Sequence, residues 1–356
     1  MAPILFLAVN LLSLADNQAQ SKFELKAQRP AWDKVASSLA VLKDSHGAGT
    51  GFAVLVQDSG MFIANRSAVQ ARTVNATLSG PQAIELVVVG EDATTQLVSL
   101  QAKNWRTGMR LPVRVVDREI GPDEVLLAAS SSGPVVGQFA NSRRPGVSGR
   151  NQFLPLYEIR LESTMDLLGG AVVFSQSGEL VGILSATQGP ADRALTGTFG
   201  SPGGFGGGGG GAAKPAAPGK GTPTAADLTQ KNLSNYGPQG LTVGYVLGPR
   251  VLKRAINGFA SSDHKVKHPY IGVEFREPVK GRVALTLVKA GSPALQAGLK
   301  GGDTVLKVGT TSVQSSVHFA SLLFEQEPGE TMRLTIERQG VVQTVDVAVG
   351  VQPDGR

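Results

Sequence analysis

Very few side chains in this sequence could carry nucleophilic or metal-assisted chemistry. There is no cysteine, which excludes a thiol nucleophile and a thiolate metal site. The four histidines, His46, His264, His268 and His318, have no metal-ligand spacing. A serine hydroxyl becomes a nucleophile only when a base such as histidine takes its proton. Serine chemistry in this chain therefore depends on whether one of these histidines lies beside a suitable hydroxyl.

The composition is typical of a folded, β-rich protein with added low-complexity sequence. The 356 residues are long enough for two or three domains, and 41% of them are hydrophobic. Only 17% are charged, and 45 Gly and 20 Pro fill the deficit. The net charge of +6 is modest, and its densest stretch, 250–282, is diluted by Asp263, Glu274 and Glu277. We therefore expect no nucleic-acid partner, no cofactor and no metal.

The N-terminus has the pattern of a secretory signal peptide. Residues 4–15 form an apolar run, ILFLAVNLLSLA, which is too short to span a bilayer comfortably. Small residues at Ser13 and Ala15, and Ala19 after them, offer cleavage sites. No Lys or Arg precedes the run, which leaves an uncleaved anchor or a misassigned start as alternatives. We predict a signal peptide at 1–19, no stable membrane span, and a periplasmic or otherwise extracytoplasmic location.

Short apolar runs bounded by Gly, Ser, Asp and Pro begin near Leu39. Runs of this length and spacing predict an antiparallel sandwich or barrel. Asp58–Gly60 and Ser175–Gly178 have the composition of hairpin turns, in which Gly supplies a positive φ. The predicted strands are 51–56, 61–64, 84–89, 97–100, 125–129, 157–161, 171–174 and 180–184.

Residues 188–239 differ from their surroundings, with nine glycines between 200 and 211 followed by an Ala/Pro/Lys/Thr stretch. Such a segment buries too little apolar surface to offset its chain entropy, so we expect it to be disordered. Beyond it, 241–247 is strand-like, and 249–259 has apolar residues at helical spacing.

The last part of the chain predicts a compact α+β unit. Five strands alternate with two helices between Tyr270 and Val351. The strands are predicted near 271–274, 282–287, 304–308, 333–338 and 344–349, and the helices near 292–297 and 316–326.

Three motifs resemble those of the HtrA-like two-barrel serine proteases. The strand pair that opens the first barrel of that family is matched by GTGFAV at 49–54 and DSGMFIANRSAV at 58–69. Its aspartate signature is matched by GEDATTQLVSL at 90–100, and its nucleophile turn by LESTMDLLGGAV at 161–172 with the tail GELVGI at 178–183. The resemblance implies a mostly β fold, a chymotrypsin/trypsin-like double β-barrel.

The same resemblance places Ser67 on the catalytic histidine, Gln96 on the aspartate and Leu168 on the serine. None of the three can perform the role of the residue it replaces, because serine is no base at neutral pH, glutamine carries no charge and leucine has no nucleophile. Asp166 falls where the family has the glycine of the oxyanion turn, and a carboxylate there opposes the developing negative charge. The resemblance therefore implies a degenerate triad and no catalytic residues.

The sequence gives little support for a nucleophile and base at other positions. A rebuilt pair of Ser67 with His46 is conceivable, although an exposed loop histidine is the simpler interpretation. Ser163 and Thr164 have no evident base. We predict a pseudoprotease.

A further segment, GLTVGYV at 240–246, resembles the strand that closes the second barrel in this family. The Gly-rich segment would then be an insertion inside that barrel rather than a linker between domains. The predicted organisation is a protease-fold domain at 30–258 that contains the disordered insertion 188–239, a connector at 259–268, and a final domain at 269–352.

The final domain resembles a circularly permuted bacterial PDZ domain. Its motifs are PYIGV at 269–273, GSPA at 291–294 and AGLKGGDTVLKV at 297–308. In such domains a peptide adds as a strand, and loop amides hold its terminal carboxylate. The resemblance implies a peptide site formed by Tyr270, Ile271, Gly272, Val273, His318 and Leu322. A solvent-facing role for His318 is the alternative, and Phe319 and Leu323 are expected in the core.

We therefore expect an exported, catalytically inactive HtrA-like protein that binds peptides or unfolded chains as a scaffold, chaperone-like holder or regulator of active HtrA-like relatives. The alternatives are an active serine endopeptidase with unorthodox residues and a structural subunit of a hetero-oligomer. A homotrimer formed through 23–39 is a further hypothesis, with Phe23 and Trp32 as its large anchors.

Overall fold

The structure is a computed structural model, which describes residues 29–79, 82–121, 124–130, 133–147, 153–161, 170–184, 189–190 and 242–353. Leu168 and Asp166 lie outside the described residues, as do the predicted signal peptide and most of the Gly-rich segment.

The first sheet is a closed antiparallel barrel of six strands in the order β1-β2-β3-β6-β5-β4. Its interior is filled mainly by aliphatic side chains together with Phe62, and Phe62, Leu86 and Leu100 are fully buried. The strands are β1 (Leu39–Lys43), β2 (Gly49–Gln57), β3 (Met61–Asn65), β4 (Thr73–Leu78), β5 (Ala83–Asp92) and β6 (Leu97–Ala102).

The second sheet has seven strands in the order β11-β10-β7-β8-β9-β13, with β12 paired to β8. A bridge between Leu184 and Val246 joins its two end strands. The strands are β7 (Val125–Ser130), β8 (Gly133–Val147), β9 (Phe153–Leu161), β10 (Val172–Ser175), β11 (Leu180–Ile183), β12 (Gly189–Pro190) and β13 (Thr242–Leu247).

The eight predicted strands and the strand-like run 241–247 overlap strands of the structure, whereas β1, β4, β8 and β12 were not predicted. The prediction of disorder from 188 was wrong at Gly189 and Pro190, because these residues pair with Val147 and Gly146 of β8. The backbone hydrogen bonds of that ladder order the start of the segment despite its composition.

The strands that flank the Gly-rich segment belong to one sheet. Leu184 and Val246 face each other across the bridge, so the chain leaves and re-enters the second sheet at neighbouring points. The segment is thus an excursion within this sheet.

Two helices pack on the barrels. Helix α1 (Arg29–Ala36) buries Val35, and Trp32 packs partly against the same hydrophobic cluster. Helix α2 (Pro249–Ala260) begins with a proline in its first turn, where a missing N–H costs nothing. It buries Val251, Leu252 and Phe259 between the barrels, as its helical spacing predicted.

The C-terminal unit contains a mainly antiparallel sheet in the order β15-β16-β17-β19-β20, with β18 beside β17 and a separate pair β14–β21. The core between sheet and helices includes Phe319, which is fully buried, and Leu323 packs partly against it. The elements are β14 (Pro269–Tyr270), β15 (Val273–Val279), β16 (Arg282–Val288), α3 (Pro293–Gln296), β17 (Thr304–Val308), β18 (Thr311–Ser312), α4 (Ser316–Phe324), β19 (Thr331–Arg338), β20 (Val341–Ala348) and β21 (Gly350–Val351).

The predicted strand at 271–274 is displaced in the structure. The strand begins at Val273 and continues to Val279, and Gly272 has a φ of +80°, which interrupts extended pairing. Ile271 and Gly272 therefore form a loop between β14 and β15. In the described part of the chain, no helix is long and apolar enough to cross a membrane.

The second sheet closes beside Gly182 of β11, so we expect this position not to tolerate a side chain. A Cβ at this position would lie 2.6 Å from the backbone oxygen of Leu247 and 2.9 Å from Cβ of Val246. We expect Gly182→Ala to destabilise the chain by about 1–3 kcal/mol, because β13 would have to move away. Gly121→Ala is the control, since its nearest neighbour would be the Glu124 Oε2 atom at 4.0 Å. Urea unfolding followed by tryptophan fluorescence should show a lower midpoint for Gly182→Ala alone; equal midpoints would contradict this account of closure.

Candidate functional site

Ser67 and Gln96 come together at one end of the first barrel. Ser67 lies in a single 3-10 turn (Arg66–Ala68) that directly follows β3, and Gln96 directly precedes β6. Because β3 and β6 are paired, the backbone N–H of Arg66 donates to the carbonyl oxygen of Gln96 at 2.8 Å. Ser67 and Gln96, two of the three positions that the resemblance assigned to the triad, therefore lie at neighbouring points of the first barrel.

The hydrogen bonds of Ser67 are local. Its backbone N–H and its Oγ both donate to Oδ1 of Asn65, at 3.0 Å and 2.7 Å. An amide oxygen does not take a proton at neutral pH, so this partner caps the turn and does not activate the hydroxyl. Gln96 donates from Nε2 to the carbonyl oxygen of Ala93 at 2.6 Å, in a left-handed backbone conformation with φ of 59°.

The hypothetical base His46 is used elsewhere. It lies exposed in the turn after β1, and its Nδ1 is 3.2 Å from Oγ of Ser45. The structure thus gives Ser67 and His46 separate partners.

The nucleophile turn is described only from Gly170 onward. Gly170 has a φ of +78°, and a Cβ there would lie 2.7 Å from Cβ of Asn65. The strand after the turn therefore starts against the end of β3, beside Ser67. Leu168, Asp166, Ser163 and Thr164 lie outside the described residues.

A buried acid–histidine pair that the sequence reasoning missed joins the first barrel to the C-terminal unit. Nε2 of His268 lies 2.9 Å from Oδ1 of Asp92, and both side chains are less than a tenth exposed. Asp92 also accepts from the backbone N–H groups of Thr94 and Thr95 and from the Thr95 hydroxyl. Burial alone raises the pKa of the Asp92 carboxyl, but the hydrogen bond and charge of His268, with these further donors, lower it below its ordinary value.

The same junction receives the end of helix α4. Phe324 belongs to the hydrophobic cluster between the barrels, and its ring stacks on His268 with centroids 5.2 Å apart. The Arg254 guanidinium lies over this ring at 4.8 Å and donates to the carbonyl oxygens of Phe324 and Gln326, at 2.8 Å and 2.7 Å. Ser321 is buried, with Oγ 3.5 Å from the carbonyl oxygen of Leu154 in β9. We call Asp92, Arg254, His268, Ser321 and Phe324 the joint.

Four of the residues expected to bind peptide form one loop. The carbonyl oxygen of Ile271 accepts from Ala294 N–H and that of Gly272 from Lys289 N–H, both at 2.9 Å. Those bonds turn the carbonyls of the loop toward α3 and β16. Among the hydrogen bonds of the described residues, the N–H groups of Ile271 and Gly272 have no acceptor. Tyr270 and Ser292 pack around Gly272, where a Cβ would lie 2.3 Å from Cβ of Ser292.

Strand β15, which follows the loop, is an edge strand whose neighbour is β16. Across from it, Leu322 of α4 is buried in the same cluster as Ile271. His318 lies one turn earlier on α4, and burial lowers the pKa of its imidazole. Its Nδ1 accepts from the backbone N–H of Gln314 at 3.2 Å, so a neutral ring carries its proton on Nε2.

Strand β15 and helix α4 form the two sides of a groove. At the end of the groove away from the loop, Glu277 joins these two elements by hydrogen bonds. Its Oε2 accepts from the backbone N–H of Ser316 at 2.9 Å, and its Oε1 from Gly281 N–H at 2.6 Å. Backbone hydrogen bonds to Ser316 and Gly281 lower the pKa of Glu277 against a smaller effect of burial. In the described residues no group of three His, Cys, Asp or Glu side chains could hold a metal ion.

Comparison with known proteins agrees with this architecture. Residues 269–349 match the family model of the PDZ domain. The "Serine protease Do-like HtrA" of Lactococcus lactis is 42% identical over 69 residues, 19% of this chain and 17% of that protein. The "Probable periplasmic serine endoprotease DegP-like" of Rhizobium meliloti is 27% identical over 136 residues, 34% of this chain and 27% of that protein. The chain thus matches less than a third of the length of either relative.

A solved structure, the HtrA-type protease AlgW with tripeptide, shares the fold with a TM-score of 0.57 at 16% identity, covering 92% of this chain and 98% of that one. The serine endoprotease from Yersinia pestis covers the same shares with a TM-score of 0.51 at 17% identity. The fold is that of a trypsin-like double barrel followed by a PDZ domain. The chain therefore contains a PDZ domain and is similar to HtrA proteins in part of its sequence and in its fold.

The crowding at Gly272 predicts a selective loss of binding. We expect Gly272→Val to weaken peptide binding at least tenfold, because a side chain there forces a strained φ and displaces Ser292. Gly309→Val is the control, because it has a φ of +57° in the same domain with open space around it. Both tryptophans, Trp32 and Trp105, precede the PDZ domain, so tryptophan fluorescence should show an unchanged barrel region in both variants. Equal peptide affinities of the two variants, measured by fluorescence anisotropy, would contradict the assignment of the loop.

Proposed function

We propose that this chain is an exported HtrA-like protein that binds peptides or unfolded chains through its PDZ domain and has no peptidase activity. The observation that carries the proposal is the loop Tyr270–Val273 beside the edge strand β15, with two amides free of protein acceptors among the described residues. An extended peptide can add to this edge by main-chain hydrogen bonds, and the loop amides can hold a terminal carboxylate.

The wall formed by α4 supplies side-chain selectivity. Leu322 shares the PDZ core with Ile271 and is 8% exposed, so an aliphatic ligand residue could contact it. His318, with its proton on Nε2, offers a donor to a hydroxyl or carbonyl oxygen of the ligand. Because burial lowers the pKa of His318, the ring stays a neutral donor at neutral pH and does not attract acidic peptides by charge.

Absence of peptidase chemistry is supported by the partners of Ser67 and Gln96. A histidine at position 67 would need a carboxylate to hold its tautomer and a serine hydroxyl to deprotonate. Here position 67 is a serine that caps its own turn, and Gln96 donates to a backbone oxygen. With Leu168 at the nucleophile position, the sequence supplies none of the three groups.

The cellular role follows as part of the same proposal. The N-terminal apolar run and the relative named as periplasmic support an extracytoplasmic location. The partners are peptides or unfolded segments, and an active HtrA-like relative could be regulated by sharing them. Trimer formation through 23–39 stays a prediction; Trp32 packs partly against the cluster of its own chain.

Screening the full chain against random ten-residue peptides with free C-termini tests the binding proposal. We expect binders with dissociation constants in the micromolar range and an apolar last residue. If no peptide binds better than roughly 1 mM, about −4 kcal/mol, the proposal is wrong.

Peptidase activity is tested by digestion of casein in the presence and absence of a serine-directed covalent inhibitor. We expect no inhibitor-sensitive digestion by the natural chain. We also expect none from the triple variant Ser67→His, Gln96→Asp and Leu168→Ser, because Asp166 remains in the oxyanion turn. Inhibitor-sensitive digestion by the natural chain would overturn the inactivity proposal. Robust activity of the triple variant would show that only the triad had been lost.

A further inference from the structure

The joint fixes both walls of one end of the peptide groove. One wall is the loop Tyr270–Val273, which begins two residues after His268, and His268 is bound to Asp92 of the first barrel. The other wall is the C-terminal half of α4, whose last residue, Phe324, is buried between the barrels and held by Arg254. The loop and the helix are therefore both attached to the protease-fold domain.

The two attachments also contact each other. The His268 ring stacks on the Phe324 ring, and Arg254 covers Phe324 at 4.8 Å from its centroid. A movement of the loop away from α4 would have to separate these rings or break the buried bond between His268 and Asp92. The spacing of the walls at this end is thus set by the protease-fold domain.

This end of the groove is the one that a terminal carboxylate would occupy. Leu322 and Ile271 meet here, whereas Glu277 ties β15 to the start of α4 at the opposite end. A ligand that ends at the loop needs no extra space. A ligand that continued beyond it would have to pass the loop next to the packed rings of His268 and Phe324, and we assume that this requires the loop to move outward.

We propose that docking of the protease-fold domain makes the groove selective for chain ends, and that loss of the joint admits internal segments. This inference rests on the proposed peptide binding and adds its regulation. Peptides that end in a free carboxylate bind whether or not the domains are docked. Segments that continue past the loop bind only when the contacts of the joint are broken. By linkage, a continuing segment must in turn favour the undocked chain.

The charged side chains of the joint stabilise one another across the two domains, so we expect their contacts to be lost together. The buried Arg254 faces Asp92, Glu325 and Glu327, and burial lowers the pKa of its guanidinium against the attraction of Glu327 and Asp92. Since each buried charge depends on partners from the other domain, removing one partner weakens the remaining ones.

The test compares three forms of one peptide, the best binder of the free C-terminal library: the free acid, the C-terminal amide, and a form extended by three glycines and amidated at its new C-terminus. With the full natural chain we expect the amide and the extended form to bind at least tenfold more weakly than the acid. Two joint variants are compared, Asp92→Asn, which removes the charge from the pair with His268, and Ser321→Arg, which places a bulky charge against β9. Small-angle scattering of each variant reports whether the domains have separated.

Lys253→Met is the matched control, because Lys253 lies on α2 beside Arg254 but pairs with Asp117 of the protease-fold domain. We expect a separated variant to bind the extended form within about threefold of the acid, and the control and any variant that stays docked to discriminate as the natural chain does. The proposal is overturned if discrimination persists after separation, or if it is lost while the domains remain docked. Failure of the acid itself to bind the natural chain would instead contradict the proposed function.

Discussion

The arrangement of the two domains depends on the packing of Phe324 against the protease-fold domain. This side chain belongs to the PDZ helix α4 but is packed in the hydrophobic cluster of the protease-fold domain. Full burial of a phenylalanine contributes roughly 1.5–3 kcal/mol. The neighbouring Arg254 cannot be neutralised at ordinary pH, so its desolvation must be offset by the carbonyl oxygens of Phe324 and Gln326 and by nearby carboxylates. Docking is thereby specific as well as favourable.

The end of the first barrel at Ser67 and Gln96 is held by local hydrogen bonds. Ser67 and Asn65 close the turn after β3 by local capping, and Gln96 accepts from Arg66 through its backbone, which any residue type could do. Function on a fold resides in a few grafted side chains, which can be lost while the sheets that positioned them persist. The proposed loss of peptidase activity is consistent with this separation, because the strands that position Ser67 and Gln96 are held by their own ladders.

Local sequence patterns predicted most of the strands and helices. Contacts between residues far apart in the sequence were not predicted. Most strand runs and the turn glycines Gly60 and Gly178 followed from short motifs. Strand β8 was missed because its second half is polar and lacks alternation. The bond between Asp92 and His268 joins residues 176 positions apart, and nothing near His268 distinguishes it from a connector histidine. Asp92 did carry a signal, since Thr94 and Thr95 follow it at the spacing of an Asx turn.

The position of the Gly-rich segment shows how a barrel accommodates a long excursion. Leu184 and Val246 stay in contact across it, so the segment must close a loop whose ends are fixed. Closing a flexible loop of about sixty residues costs only about 2 kcal/mol more than closing one of about six, because the entropy grows with the logarithm of length. Six residue pairs between β13 and β9, with Tyr245, Val246 and Leu247 buried, offset a cost of this size. The second barrel can therefore keep its closing strand whatever the inserted sequence contributes.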